Sequence, residues 1–217
     1  MRARLRRLAG DDRGASLMEL VVGMAVMTVF MVIFTAGMIV LTRTTTQVEA
    51  ISSSTAQANS AFLRLDKLVR YASAVTTPDR GTGGDWYVEL ADADPADGTP
   101  RCVQLRVDAH DHDLAQRTWS LTKSPAGPFG WEPLADDVLN GAAAAGSADQ
   151  PFTTPSSTVG SSSLQRLTVS LVTGTSGPAS DSTTRTSLTF TALNSNASDR
   201  DAATRCTQPP GSEVYRP

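Results

Sequence analysis

The chain has 217 residues, a net charge of −3 and two cysteines. With a basic leader and an N-terminal apolar segment set aside, about 175 residues remain, which fits one domain. The first 14 residues carry five Arg and two Asp, so the remainder sits near −6 (−3 minus +3), and that balance argues against a nucleic-acid surface, which needs a basic patch.

The leader, residues 1–14, contains Arg2, Arg4, Arg6, Arg7 and Arg13. It is followed by residues 20–41, 22 positions without a charge. A helix of that length reaches roughly 33 Å, enough to cross the hydrocarbon core of a bilayer. Residues 15–41 are therefore read as a transmembrane helix. The positive flank places the N-terminus in the cytoplasm and the C-terminal domain outside the cell membrane, single-pass. A cleaved secretory signal fits less well, because its apolar region is about 7–15 residues and ends at a small-residue cut site.

Glu19 stands just inside the apolar run, where an acidic side chain is costly and commonly functional. The segment Arg13-Gly14-Ala15-Ser16-Leu17-Met18-Glu19-Leu20-Val21-Val22-Gly23-Met24-Ala25-Val26 resembles the N-terminal motif of type IV prepilins and pseudopilins. The resemblance implies cleavage between Gly14 and Ala15 by a prepilin peptidase and N-methylation of Ala15. It departs from the family in one respect: Ala15 stands where an aromatic is usual. Glu19 would be the fifth mature residue, and in that family such a glutamate is thought to pair with a neighbouring subunit's terminal amine. In hydrocarbon, paired charges cost much less than isolated ones. The same pairing sets register, as a buried polar group does in a coiled coil.

Beyond the membrane, Val48, Ile51, Thr55, Ala58, Phe62, Leu65, Val69 and Ala72 recur at intervals of three and four. This spacing predicts an amphipathic continuation of the helix over residues 42–77, packed on a sheet and stopped at Thr76-Thr77-Pro78. Residues 78–193 are read as an exported β-rich domain. Trp86, Val88 and Leu90 alternate with Tyr87 and Glu89, and Val103, Leu105 and Val107 alternate with Cys102, Gln104 and Arg106, which predicts two strands. Trp119 and Leu121 mark a third, and Phe129 and Trp131 a hairpin edge or strap. Residues 140–163 read as a long mobile loop. Residues 164–193 read as an antiparallel hairpin. Residues 194–217 form a polar tail. The fold class is α+β; the resemblance implies the pilin plan, a long N-terminal helix packed on an antiparallel sheet. The spacing is loosely similar to J-type minor pseudopilins of type II secretion.

Cys102 and Cys206 suggest a disulfide in an exported domain. His110-Asp111-His112-Asp113 offers metal-ligand types without a further ligand motif, so an exposed turn is expected. Asp92, Asp94 and Asp97 approximate a calcium-loop spacing, but Pro95 and the missing downstream Glu depart from the EF-hand pattern. Whether calcium binds there stays open. Trp86, Trp119 and Trp131 read as core and edge aromatics. Asn196-Ala197-Ser198 fits a glycosylation sequon. No nucleophile elbow or phosphate-binding glycine loop appears. The expectation is a non-enzymatic minor pilin or pseudopilin with no cofactor and no metal. Its expected partners are prepilin peptidase, other pilins or pseudopilins, an inner-membrane assembly platform and membrane lipid; nucleic acid is not directly indicated. The alternative is a signal-anchored extracellular domain that binds a ligand or the cell wall and does not assemble.

Overall fold

The computed structural model of the chain describes residues 16–81, 83–121, 130–155, 164–174, 183–195 and Cys206. It is α+β; among the described residues there are one helix, α1 (Leu17–Tyr71), and nine strands in two antiparallel sheets. The chain divides into two compact units, Met1–Val48 and Glu49–Pro217, and α1 contributes residues to both.

In the first unit the apolar residues run all round the helix, and none of the described ones is buried. In the second, the stripe spaced by three and four does what an amphipathic face does. Ala58, Phe62, Leu65 and Val69 are buried, while Leu63, Arg64, Lys67 and Arg70 are exposed. An Asp66–Arg70 ion pair one turn apart supports the last turns. The helix ends at Tyr71, six residues short of the predicted residue 77. Ser73 N donates to the Ala91 carbonyl at 2.8 Å, and β1 (Ala74–Val75) pairs with residues 90–91. A strand edge and β-branched Val75, Thr76 and Thr77 favour extension there over another helical turn.

Sheet A contains β1, β2 (Asp79–Arg80), β3 (Trp86–Ala93), β4 (Pro100–Val107), β5 (Leu114–Ser120) and β6 (Glu132–Ala135). β1 and β2 pair with different stretches of the same edge of β3, and the order continues through β4, β5 and β6. Register sorts the three long strands into two faces. The inner rows are Trp86–Val107–Leu114, Val88–Leu105–Gln116 and Leu90–Val103–Thr118. They join the α1 stripe in one core with sheet B.

Sheet B is β7 (Phe152–Thr153), β8 (Gln165–Gly174) and β9 (Thr183–Ala192). Phe152, Leu167, Val169, Leu171 and Ala192 are fully buried, and the Phe190 ring lies 6.2 Å from that of Phe62. Gln165 Oε1 accepts from Val75 N at 2.6 Å and so links the sheets through a buried contact.

Of the loop expected over residues 140–163, the described part, residues 140–155, consists of turns and the two-residue strand β7. Asn140 is buried, donates to the Asp149 and Ser170 carbonyls at 2.8 Å each, and accepts from Val172 N at 3.0 Å. Next to it, a Cβ on Gly141 would stand 2.2 Å from the Asp108 carbonyl oxygen, so only glycine fits that approach. A segment poor in apolar residues is thus held by polar side chains, with Trp86 Nε1 also donating to the Ala143 carbonyl at 2.9 Å, and ends in β7. Residues 156–163 of that predicted loop lie outside the described residues.

Candidate functional site

Ser16 caps the N-terminus of α1. Glu19 N donates to the Ser16 carbonyl at 2.8 Å and to Ser16 Oγ at 3.4 Å. Ser16-Leu17-Met18-Glu19 has the spacing of a capping box, and an acidic side chain in the first turn is favoured by the helix dipole. Glu19 is exposed, and so is every residue from 17 to 41. Gly14 and Ala15, the expected processing positions, lie outside the described residues.

Threonine is the main polar intrusion in this segment, and the helix absorbs it. The hydroxyls of Thr28, Thr35 and Thr42 donate to the carbonyls of Met24, Met31 and Met38 at 2.8, 2.7 and 2.9 Å. Thr44 and Thr45 do the same with Val40 and Leu41, both at 2.9 Å. A hydroxyl bonded to its own helix meets hydrocarbon at much lower cost than a free one. Beside Gly23 and Gly37 nothing stands within 4 Å, so the backbone surface is open at both. Among the described residues this is the one helix long and apolar enough to cross a membrane; an N-terminal signal sequence passes the same test.

The polar motifs of sheet A are engaged in its own turns. Asp85, Asp108 and His110 each place a ligand-type atom within 4.8 Å of the others, but both carboxylates are engaged. Asp85 accepts from Ala109 N at 3.0 Å and from the Tyr87 hydroxyl at 3.1 Å. Asp108 accepts from His110 N at 2.7 Å and Asp111 N at 2.9 Å, and pairs with Arg106 at 3.1 Å. Burial pushes the Asp108 carboxyl up, yet those backbone donors and Arg106 outweigh it and leave it below the usual range. Asp113 lies farther from Arg106, at 3.5 Å, and burial leaves its carboxyl raised. His112 takes a left-handed φ of 56° in the β4–β5 turn. The trio locks that turn to the start of β3.

Asp92, Asp94 and Asp97 are likewise placed by the β3–β4 hairpin. Asp92 pairs with Arg101 at 2.8 Å, Asp94 accepts from Ala96 N at 2.9 Å, and Asp97 accepts from Thr99 N at 3.0 Å. Gly98 closes the turn with φ +71°.

The outer face of sheet A is the part sequence reasoning missed. Its rows are Tyr87–Arg106–Ala115, Glu89–Gln104–Arg117 and Ala91–Cys102–Trp119. Trp131 lies over the first two, with the Arg106 and Arg117 guanidinium carbons 4.5 and 4.3 Å from its ring centroid. Beneath it Gln104 donates to Glu89 at 3.0 Å and accepts from Arg117 at 2.7 Å. Burial pushes the Tyr87 phenol up to about 12, with Asp85 adding to the shift, and lowers the Arg117 guanidinium. The third row is covered by Cys206, bonded to Cys102 across a sequence separation of 104. The sequon at Asn196 lies outside the described residues. The chain matches no protein-family model, no curated protein and no solved structure.

Proposed function

We propose that this protein is a minor pilin or pseudopilin, cut after Gly14 by a prepilin peptidase and assembled into a pilus-like filament through its N-terminal helix. One observation carries the reading. The exposed apolar stretch that follows Gly14-Ala15 opens on a capped turn holding an exposed Glu19, and none of the large apolar side chains from Leu17 to Leu41 is buried by the chain itself. An acidic side chain at the head of such a segment has no partner of opposite charge within it, because the run to Leu41 carries no cation. A terminal amine on a neighbouring subunit supplies one, and pairing lowers the cost of both charges in hydrocarbon. The Glu49–Pro217 unit would then be displayed outside the membrane, with the other subunits, the peptidase and the assembly platform as partners.

Intact mass of the membrane-extracted protein, with and without an active prepilin peptidase, tests the processing step. A chain beginning at Ala15, with or without one added methyl, is expected. A chain retaining residues 1–14 beside an active peptidase would leave the helix as a plain anchor. Glu19→Gln is then expected to be processed normally but to enter filaments at least about tenfold less often, the frequency equivalent of about 1.4 kcal/mol; normal incorporation rejects the pairing role.

A further inference from the structure

The threonines of the membrane-length segment are not scattered round the helix. Between Leu17 and Thr42 they are Thr28, Thr35 and Thr42, each seven residues from the next. Met24, Met31 and Met38 precede them by four residues and keep the same interval. Together the six positions alternate in steps of four and three, and Leu17 and Val21 continue the pattern toward the N-terminus. Those steps are the a and d spacing of a heptad, so all six share one face of α1. Hydrogen bonds tie the two sets together, since each threonine hydroxyl donates to the carbonyl of the methionine one turn before it, at 2.7 to 2.9 Å.

Two observations separate this face from the rest, and both point to a helix as its occupant. Lipid treats every side of a helix alike, so a bilayer does not gather three hydroxyls on one side. Helix contacts within membranes do, because hydroxyl and other small residues let backbones approach. Bonding to their own helix leaves these hydroxyls no free donor, so an apolar partner surface meets them at little cost. The face also has a hole. Thr35, Met38, Ile39 and Thr42, at positions i, i+3, i+4 and i+7, line a shallow depression. Four residues in that arrangement receive one knob in coiled-coil packing. The methionines of the seam are each more than half exposed, so the chain's own knobs stand uncovered.

The interval limits which helix can fit. A strict seven-residue repeat drifts by about 20° per heptad on a straight helix, so contact along it is kept only when two helices wind left-handed about each other. The partner therefore carries the same repeat. A second copy of this segment, parallel and in register, carries it and sets threonine against threonine and methionine against methionine, in alternating small and large layers. No like charges meet in that pair. Glu19 lies nine residues before Thr28, about two and a half turns, and so stands on the opposite side. Arg43 follows the last threonine by one position and lies off the seam. We propose that the membrane segment pairs with a second copy of itself as a parallel left-handed coil, along the seam of Met24, Met31 and Met38 with Thr28, Thr35 and Thr42. The pairing requires that the segment lie in a bilayer but not that Gly14 be cut, and it leaves Glu19 free to meet another subunit.

The test uses the full chain, purified and reconstituted at low density into phosphatidylcholine vesicles. Cys102 and Cys206 are bonded to each other, so an added cysteine reports on its own surroundings. Thr28→Cys, Met31→Cys and Thr35→Cys probe the seam, and Val26→Cys, Ile33→Cys and Val40→Cys probe the far side. Dimer formed under mild oxidation is read on non-reducing gels. Seam cysteines of the proposed pair lie within disulfide reach, whereas far-side cysteines stand about 20 Å apart. Dimer at the seam is expected to exceed dimer at the far side by about tenfold, because only the seam meets that distance limit. Thr35→Phe fills the hole while keeping the helix apolar, and is expected to abolish the Met31→Cys dimer. No dimer at the seam, equal dimer on both sides, or a Met31→Cys dimer undiminished by Thr35→Phe would overturn the inference. A chain that fails to float with the vesicles would overturn it together with the membrane reading, while intact mass judges cleavage separately.

Discussion

The two stretches of α1 make opposite use of apolar residues. Among the described residues, those before Val48 surround the helix and bury nothing, whereas after Glu49 Ala58, Phe62, Leu65 and Val69 form a buried stripe and Leu63 stays exposed off it. Helical propensity is not what separates them. The first stretch is suited to an apolar solvent on all sides, the second to a sheet on one side and water on the other. A leucine therefore has no fixed worth along this helix. Its contribution is set by whether the chain supplies the surroundings.

Substitutions can break that contrast, and the largest effect is expected at the centre of the stripe. Leu65→Ala should destabilise the Glu49–Pro217 unit by about 2–5 kcal/mol in denaturant unfolding, because Leu65 is fully buried. Val29→Ala, at a 59% exposed position, should leave that transition unmoved. Equal effects would mean that the two stretches are not distinct.

Replacing Cys102 and Cys206 together with alanine is expected to cost about 2–4 kcal/mol, since the bond closes a long loop. The loss should appear in the sheet transition alone. Gln165→Ala removes the acceptor for buried Val75 N and is expected to cost about 1–3 kcal/mol, again confined to that unit. The smallest effect concerns pH. The Tyr87 phenol is raised above its unfolded value near 10, so its contribution to stability is fully present below that pH and lost as pH rises through about 12. Ultraviolet titration of tyrosinate against a Tyr87→Phe control reads this directly. A phenol titrating near 10 would mean that the cover over the outer face is open.

Much of the architecture was legible because it rests on local periodicity. The α1 stripe and the alternation in β3, β4 and β8 identify their own inner faces. What escaped depends on distant residues. Trp119 and Leu121 mark the third strand, but β5 runs from Leu114 to Ser120, and its polar Gln116 and Arg117 are received by Glu132 and Gln104. Alternation separates Glu89 and Gln104 from the apolar face without revealing that both are buried. Residues 140–155 lack apolar signal, and Asn140 organises them through three bonds that composition does not encode. For the candidate site, the apolar run and Glu19 were plain in the sequence.

The Cys102–Cys206 bond also fixes how the Glu49–Pro217 unit would carry load. Tension applied between a point before Cys102 and a point after Cys206 passes through one covalent shortcut. The chain between them, a sequence separation of 104 and about 350 Å when extended, is held out of the line of force. Most of β4 and all of β5 through β9 would keep their pairing while only the flanking segments were stretched. In a reducing environment that length would be released, and the same pull would unravel the sheets strand by strand.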